Sequence, residues 1–224
     1  MRLPLFLAAA ALAISACQSP AIAAENFVEA PAPKRTASES GGLKTAIFAG
    51  GCFWGVEAVF SHMKGVTSAV SGYEGGSKAE ANYELVASGK TRHRESVRVT
   101  YDPRQVRYDQ LLRVFFSVVA DPTLKNNQGP DYGPQYDAAI VPLNAEQRAV
   151  ATAYLAQMKA SGVWKKPIRT SVVKGGTFYP AEGYHQDFAK KNPNNGYIRA
   201  WDAPKVAAFK RMYPGLYRDT FVTG

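Results

Sequence analysis

The chain has 224 residues, of which 46% are hydrophobic and 20% are charged, a composition that fits one globular domain plus extensions. Its formal net charge is +9, from 27 Lys and Arg against 18 Asp and Glu. Because the basic residues are scattered rather than massed in one tract, they indicate a solvated basic surface and not a nucleic-acid-binding module.

The N-terminus is typical of an export signal. Met1 and Arg2 precede an apolar stretch, residues 3–16, which is short for a transmembrane helix but suits a signal-peptide core. We therefore predict a signal peptide over residues 1–23 and export to the bacterial periplasm. The sequence contains two alternative cleavage sites. Residues 14–17 (Ile-Ser-Ala-Cys) resemble a lipobox, and cleavage there would leave Cys17 as a lipid anchor in the membrane. The Ala-Ile-Ala sequence that ends at residue 23 would instead be cut so that Cys17 is removed.

A change of composition marks the one domain boundary that the sequence indicates. Residues 24–42 are rich in Pro, Ala, Ser, Glu and Gly, which predicts a flexible linker. Residues 43–224 have a globular composition without an internal repeat or a second linker. We therefore expect one folded domain over residues 43–224.

Within the domain, the sequence predicts strands and helices that alternate. Apolar runs and alternating patterns predict strands at residues 44–49, 66–73, 97–101, 138–141 and 168–173. Helical spacing predicts helices that begin after residue 52, cover 111–119, run from 144 to near 162, and occupy 184–191 and 204–212. The loop at residues 120–135 is long enough to suggest a function. Strands separated by helices predict an α/β fold with helices packed on a mixed β-sheet.

Cys52 is the most informative residue of the domain. It lies in residues 50–55 (Gly-Gly-Cys-Phe-Trp-Gly), between a predicted strand and a predicted helix. The two glycines permit a sharp turn, and the first N–H groups and dipole of the helix are expected to lower the pKa of the thiol. A free cysteine is often a small buried hydrophobic residue, but such a residue does not need a tight turn at a helix start. The position therefore indicates a reactive thiol.

The titratable residues leave more than one chemistry open. A cysteine hydrolase or acyltransferase requires a histidine base beside the thiol, and His185 is the candidate for that role. A zinc site requires clustered Cys and His residues, and the three histidines show no such spacing with Cys52. We therefore predict no metal, and a hydrolase that uses Cys52 and His185 remains the alternative function.

A longer series of motifs supports a more specific interpretation. Residues 51–55 (Gly-Cys-Phe-Trp-Gly) resemble the hallmark of the type A peptide methionine sulfoxide reductases. Further motifs similar to this family follow in order at residues 72–76, 83–86, 88–89, 93–95, 101–103, 121–123, 127–133, 135–136, 181–182, 185–186 and 191–193. The resemblance implies an α/β (α+β) fold, a two-layer sandwich of ferredoxin-like character around a mixed sheet. It also implies reduction of methionine-S-sulfoxide in peptides and proteins, and of free methionine sulfoxide, as a repair of oxidative damage.

The resemblance implies catalytic roles residue by residue. Cys52 matches the nucleophile that attacks the sulfoxide sulfur and becomes a sulfenic acid, and Glu95 matches the acid that protonates the sulfoxide oxygen. Tyr83 and Tyr136 match the two hydroxyl groups that hold this oxygen. A carboxylic acid donates a proton near neutral pH only if burial raises its pKa, so we expect Glu95 to be buried, neutral and close to Cys52.

The resemblance also implies a substrate-binding set. Phe53 and Trp54 match the apolar wall that receives the methyl group on sulfur. Asp131 matches a residue that helps to bind the backbone side of the substrate. We therefore expect these three side chains to lie beside Cys52.

No cysteine follows Cys52 in the chain. Many relatives have a C-terminal cysteine that attacks the sulfenic acid, so its absence predicts a one-cysteine cycle completed by an external thiol. Thioredoxin, glutaredoxin or dithiothreitol are the expected reductants, with no bound cofactor. The expected partners are oxidised peptides and proteins and a thiol reductant protein, and we expect the protein to act as a monomer.

Overall fold

The computed structural model describes residues 27–224. The predicted signal peptide, with both cleavage sites and Cys17, lies outside the described residues. Within residues 27–224, no helix combines the length and the apolar character that crossing a membrane requires.

Strands and helices alternate along the described chain. The strands are β1 (Lys44–Ala49), β2 (Val66–Glu74), β3 (Arg94–Tyr101), β4 (Asn127–Gln128), β5 (Asp131–Tyr132), β6 (Ala139–Val141), β7 (Ser171–Val172) and β8 (Phe178–Pro180). The helices are α1 (Phe53–Ser61), α2 (Tyr83–Ala87), α3 (Tyr108–Val114), α4 (Ala145–Ala160), α5 (Phe188–Lys191) and α6 (Ala203–Met212). The 3-10 turns are Lys78–Glu80 and Pro134–Tyr136, and π-helical turns continue α3 over Phe115–Val119 and precede α6 over Ile198–Asp202.

A mixed sheet forms the centre of the domain. Within residues 27–224 its six strands have the order β7-β6-β1-β3-β2-β8, and β4 pairs with β5 in a separate hairpin. The pairs β6–β1, β1–β3 and β3–β2 are antiparallel, whereas β7 joins β6 in parallel. With α1 between β1 and β2 and α3 between β3 and β6, these central strands form a ferredoxin-like unit. The predicted α/β class, mixed sheet and ferredoxin-like character are confirmed.

Apolar side chains of α1 and α3 pack on β1 and hold the start of α1 in place. Val56 and Phe60 lie four residues apart on one face of α1, and both are buried. Phe48 of β1 stacks with Phe60 and Phe115, with ring centroids 5.0 and 5.5 Å apart. Each fully buried side chain of this size contributes roughly 1.5–3 kcal/mol. This packing fixes the junction of β1 and α1, where Cys52 lies.

Two elements are shorter than the sequence predicts. The strand expected at residues 168–173 is reduced to β7, because only two residues pair with the short strand β6. The helix expected at residues 184–191 is reduced to α5, because Asp187 has a left-handed backbone (φ 55°, ψ 28°) and the helix begins only at Phe188. Strand β8, which the periodicity does not predict, pairs antiparallel with β2.

The described part of the predicted flexible linker, residues 27–42, differs from the expectation. It contains no helix or strand, but it lies against the domain, with Ala30 and Ala37 buried. The N–H of Ala30 donates to the Ser117 hydroxyl at 2.9 Å, and the N–H of Ala37 donates to Asp109 Oδ1 at 2.8 Å. Because side chains of the domain satisfy its backbone, the segment is held in place, and we call residues 27–42 the N-terminal strap.

Candidate active site

Cys52 is the N-cap residue of α1, at the junction with β1. The preceding Gly51 has a left-handed backbone, φ +91°, and a side chain there would meet the Cβ of Gln128 at 2.5 Å. This close approach places the loop of residues 120–135 against the start of α1. Glycine at position 51 is therefore required both by the backbone conformation and by the packing.

The surroundings of Cys52 raise the pKa of its thiol, contrary to the expectation from the helix start. Desolvation is the largest cause, because it disfavours the charged thiolate. The negative charge that Glu95 carries once it is ionised, and the charge of Asp202, act in the same direction. The N–H of Trp54 lowers the pKa of the thiol but does not outweigh these effects. The resting thiol is therefore protonated at neutral pH.

Glu95 is buried on β3, next to the start of α1, with 2% of its surface exposed. Its Oε2 accepts the N–H of Phe53 at 2.9 Å, which ties β3 to the residue after Cys52. Burial raises the pKa of Glu95 to about 8, and the charges of Asp131 and Asp202 contribute, while the Phe53 hydrogen bond opposes the shift. The carboxyl is therefore largely protonated at pH 7, as expected from the sequence.

The predicted site residues meet in one cavity of about 150 Å³. Its lining consists of Cys52, Phe53, Trp54, Tyr83, Glu95, Asp131, Tyr136 and Tyr197. All of these except Tyr197 are residues that the sequence singled out, and they come from separate parts of the chain, so the cavity forms only on folding. Within residues 27–224, no group of three or more His, Cys, Asp or Glu side chains is placed to hold a metal ion.

Of the three tyrosines that line the cavity, Tyr83 and Tyr136 are the two that the sequence predicts, and both carry neutral hydroxyl groups. Tyr83 begins α2, and its N–H donates to one oxygen of Glu182 at 2.9 Å, while the Tyr73 hydroxyl donates to the other at 2.8 Å. Glu182 therefore fixes where Tyr83 enters the cavity. Tyr136 comes from the 3-10 turn before β6. Burial raises the pKa of both Tyr83 and Tyr136, which keeps their hydroxyl groups protonated.

Asp131 contacts Tyr197, a cavity residue that sequence reasoning missed. The Tyr197 hydroxyl donates a hydrogen bond to Oδ2 of Asp131. Burial raises the pKa of Asp131, against the opposing effects of this hydrogen bond and of the Lys205 charge. The Tyr197 ring also meets Trp54 edge-on, with centroids 5.8 Å apart. Tyr197 follows the motif at residues 191–193 in a stretch without periodicity, so no local signal singles it out.

Asp202 is a second residue that the sequence did not indicate. Its side chain is 1% exposed and packs so closely on α1 that a side chain on Gly55 would meet its Oδ1 at 2.3 Å. Burial is the main cause of the raised pKa of Cys52, Glu95 and Tyr197, and the charge of Asp202 adds to it in all three. An Asp just before a helix is usually interpreted as a capping residue, and this common role conceals the contribution of Asp202 to the site.

His185 is buried beside the cavity, but its hydrogen bonding does not suit a general base for Cys52. The indole N–H of Trp54 donates to His185 Nδ1 at 3.1 Å. Because burial lowers the pKa of His185, the ring is neutral, and with Nδ1 as the acceptor the hydrogen lies on Nε2. The ring then has no free lone pair to take the thiol proton. The hydrolase alternative is not supported.

Comparison with known proteins finds similar sequences that match most of the domain. A family model described as peptide methionine sulfoxide reductase matches residues 44–215. The peptide methionine sulfoxide reductase MsrA 2 of Mesorhizobium japonicum is 53% identical over 178 residues, which cover 80% of this chain and 91% of that protein. The protein of the same description from Synechocystis sp. is 48% identical over 172 residues, or 77% of this chain and 80% of that protein.

Solved structures share the fold. Methionine sulfoxide reductase A of Corynebacterium diphtheriae is 30% identical with a TM-score of 0.58, over 78% of this chain and 86% of that chain. Reduced Mxr1 of Saccharomyces cerevisiae gives a TM-score of 0.63 at 27% identity, over 72% of this chain and 92% of that chain. Sequence and fold agree across most of the domain, and the chain belongs to the peptide methionine sulfoxide reductase family.

Proposed function

We propose that the protein reduces methionine-S-sulfoxide, in peptides, in proteins and as the free amino acid, by taking the oxygen onto Cys52. The observation that carries this proposal is the pair formed by the Cys52 thiol and the protonated Glu95 carboxyl in one cavity. In the reaction, the bond between the substrate sulfur and its oxygen breaks, and a bond between the Cys52 sulfur and oxygen forms. The substrate sulfur gains the two electrons that the cysteine sulfur loses.

Glu95 is the proposed proton donor. When the Cys52 sulfur attacks, negative charge develops on the sulfoxide oxygen, which is a poor leaving group until it is protonated. A carboxyl with a pKa of about 8 still holds its proton at pH 7 and can transfer it at this point. The proton that leaves the thiol returns the carboxyl to its neutral form, so the step needs no net proton.

The remaining cavity residues bind the substrate. The neutral hydroxyl groups of Tyr83 and Tyr136 are the proposed donors to the sulfoxide oxygen, where they stabilise the developing charge. Phe53 and Trp54 are the proposed wall for the methyl group. Asp131 is the proposed acceptor for the backbone N–H of the substrate.

An external thiol is the proposed reductant. Attack of one thiol on the Cys52 sulfenic acid releases water and forms a mixed disulfide, and a second thiol then restores the Cys52 thiol and leaves as a disulfide. The absence of a cysteine after Cys52 supports this route. Thioredoxin, glutaredoxin and dithiothreitol are the reductants to compare.

A single-turnover experiment tests the proposed intermediate. The protein without residues 1–26, mixed with methionine-S-sulfoxide in the absence of thiol, is expected to release one methionine per molecule and to label at Cys52 with dimedone, which traps sulfenic acids. The Cys52→Ser variant provides the control. Methionine release without a dimedone adduct would contradict the one-cysteine route.

We further propose that the protein is exported to the bacterial periplasm. The apolar residues 3–16 and the two cleavage motifs behind them support export. Mass spectrometry of the protein expressed in bacteria separates the outcomes. A lipid-modified N-terminus at Cys17 corresponds to a membrane anchor and an N-terminus at Ala24 to soluble release, whereas an intact Met1 would contradict cleavage of a signal peptide.

A further inference from the structure

Glu57 is a buried carboxyl that the proposed reaction does not use. It lies on α1, five residues after Cys52, and only 1% of its surface is exposed. The Ser71 hydroxyl donates to its Oε2 at 3.2 Å, and the N–H of Asp187 donates to its Oε1 and Oε2 at 3.2 and 3.1 Å. One side chain of α1 therefore joins β2 to the turn just before α5.

The turn that Glu57 holds is strained. Asp187 has the left-handed backbone conformation, φ 55° and ψ 28°. A residue with a side chain pays roughly 1 kcal/mol for this conformation, so the surroundings have to hold it there. The hydrogen bonds from the Asp187 N–H to both oxygens of Glu57 supply such a restraint.

The neighbours of Asp187 fix the indole ring of Trp54 on two sides. His185, two residues before, accepts the indole N–H at 3.1 Å. Phe188, one residue after, stacks on the indole face with centroids 3.7 Å apart and an angle of 9° between the rings. A shift of the Asp187 turn would therefore move both groups that determine the orientation of Trp54.

We propose that Glu57 is a positioning residue, which acts through the Asp187 turn to hold Trp54 as the rigid wall of the methyl pocket. The inference rests on the proposed function of that pocket. A rigid wall fits a methyl group and excludes a larger alkyl group, so Glu57 sets the discrimination between methyl and ethyl sulfoxides.

The protonation of Glu57 guides the choice of variants. Burial raises its pKa to about 8, although the hydrogen bonds from Asp187 and Ser71 and the charge of Lys191 oppose the shift, and the charge of Asp187 adds to it. Because the carboxyl is largely neutral at pH 7, Glu57→Gln keeps an oxygen that can accept the Asp187 N–H. Glu57→Leu has similar bulk but no acceptor.

Glu74→Gln and Glu74→Leu are matched controls, because Glu74 is also 1% exposed but lies at the end of β2 beside Arg94.

The kinetic test compares N-blocked methionine-S-sulfoxide with its S-ethyl analogue. In Glu57→Leu, we expect KM for the methyl substrate to rise about tenfold, with kcat changed much less, as for a lost contact worth ~1.4 kcal/mol. The preference for methyl over ethyl is expected to fall. Glu57→Gln and both Glu74 variants are expected to stay within about threefold of wild type, equivalent to roughly 0.7 kcal/mol. An unchanged methyl preference in Glu57→Leu would overturn the inference.

A second readout does not depend on turnover. The indole N–H signal of Trp54 in a ¹⁵N spectrum, assigned with Trp54→Phe, is expected to move in Glu57→Leu and to stay in Glu74→Leu. An inactive wild type would refute the proposed function, whereas an unmoved Trp54 signal would refute the role of Glu57. If Glu57→Leu does not fold, Phe188→Ala tests the last step of the inference, because it removes the ring that stacks on Trp54 and leaves Glu57 in place. An unaltered methyl preference in Phe188→Ala would overturn the inference, since the orientation of Trp54 would then not set that preference.

Discussion

At Cys52, two electrostatic effects compete. The start of α1 and the N–H of Trp54 favour a thiolate, whereas desolvation and nearby carboxyl groups favour a thiol. The second set is stronger because the sulfur lies in a narrow cavity that it shares with Glu95 and Asp131. A protonated thiol at rest is less exposed to chance oxidation or alkylation, and its reactivity then depends on the bound sulfoxide.

Replacing Glu95 by Gln is expected to separate thiol reactivity from turnover. The variant lacks the negative charge that raises the Cys52 pKa, so the midpoint of iodoacetamide alkylation against pH should move to lower pH. Turnover of methionine-S-sulfoxide should fall on the order of 10²–10⁴-fold, the usual contribution of a general acid. The control is Glu74→Gln. An alkylation midpoint that stays at the wild-type pH would contradict the electrostatic account.

Removing the Tyr197 hydroxyl is expected to weaken substrate binding more than chemistry. In Tyr197→Phe, Asp131 loses a hydrogen bond to a charged group, which is worth about 1.5–3 kcal/mol and also holds the carboxylate in place. KM for a peptide sulfoxide should rise on the order of tenfold while kcat changes little. Steady-state kinetics of the variant check this. A lowered kcat at constant KM would assign Tyr197 to the chemical step instead.

At the scale of elements, the N-terminal strap marks the limit of what local composition predicts. Residues 27–42 have no periodic apolar pattern, which is why the sequence indicates a flexible linker. Their hydrogen-bond partners include Ser117, Asp109 and Gln157, which are 72 to 123 residues away in the chain. Such acceptors belong to the folded domain, and no pattern within the strap encodes them. The long elements with strong periodicity, such as α4, were predictable because local spacing determines them.

Glu39 provides a test of the strap. Its carboxylate accepts the Tyr101 hydroxyl at 2.5 Å and the Tyr108 N–H at 3.0 Å, which joins the strap to β3 and to the start of α3. Glu39→Ala is expected to lower the free energy of unfolding by about 1–2 kcal/mol in urea titrations. Lys34→Ala is the control, since its backbone N–H makes the strap contact and its side chain is exposed. Equal stability of Glu39→Ala and wild type would show that the strap adds nothing to the fold.

At the scale of the whole molecule, folding brings together site residues that are far apart in the sequence. The motifs identify these residues but do not show that they share one cavity. The motifs identified seven of the cavity residues, but their convergence depends on the ferredoxin-like strand order, which sets β3 beside β1. Tyr197 escaped prediction because it lies just before the π-helical turn Ile198–Asp202, which has no sequence signature of its own, and Asp202 because an Asp at a helix start suggests a cap. The distances between the site side chains and the pKa shifts of its titratable groups could not be predicted either. Both depend on contacts between residues that are far apart in the sequence.

The stability of the whole protein is expected to fall between pH 7 and 8. Glu57 and Glu95 have pKa values of about 8 in the folded protein, and an unperturbed Glu titrates near 4.3. In this window the unfolded chain has lost both protons while the folded protein still binds them, so rising pH favours unfolding, by about 1 kcal/mol per carboxyl. His62 and His185, whose pKa burial lowers, act in the opposite direction only below their ordinary value of 6.5.

Urea titrations at pH 7 and pH 8 measure this effect. Glu57→Gln and Glu95→Gln should each remove about half of the decrease, because an amide does not titrate. Glu84→Gln, at an exposed position on α2, should leave it unchanged. A wild-type stability that is constant from pH 7 to pH 8 would mean that neither buried carboxyl is protonated in the folded state.

We propose that the Cys52 thiol and the protonated Glu95 carboxyl together reduce the S epimer of methionine sulfoxide. The most direct measurement is turnover of each N-blocked epimer with dithiothreitol, by the wild type, Cys52→Ser and Glu95→Gln. We predict turnover of the S epimer alone, abolished in Cys52→Ser and steeply reduced in Glu95→Gln. Turnover of the R epimer, or full activity in either variant, would contradict the account.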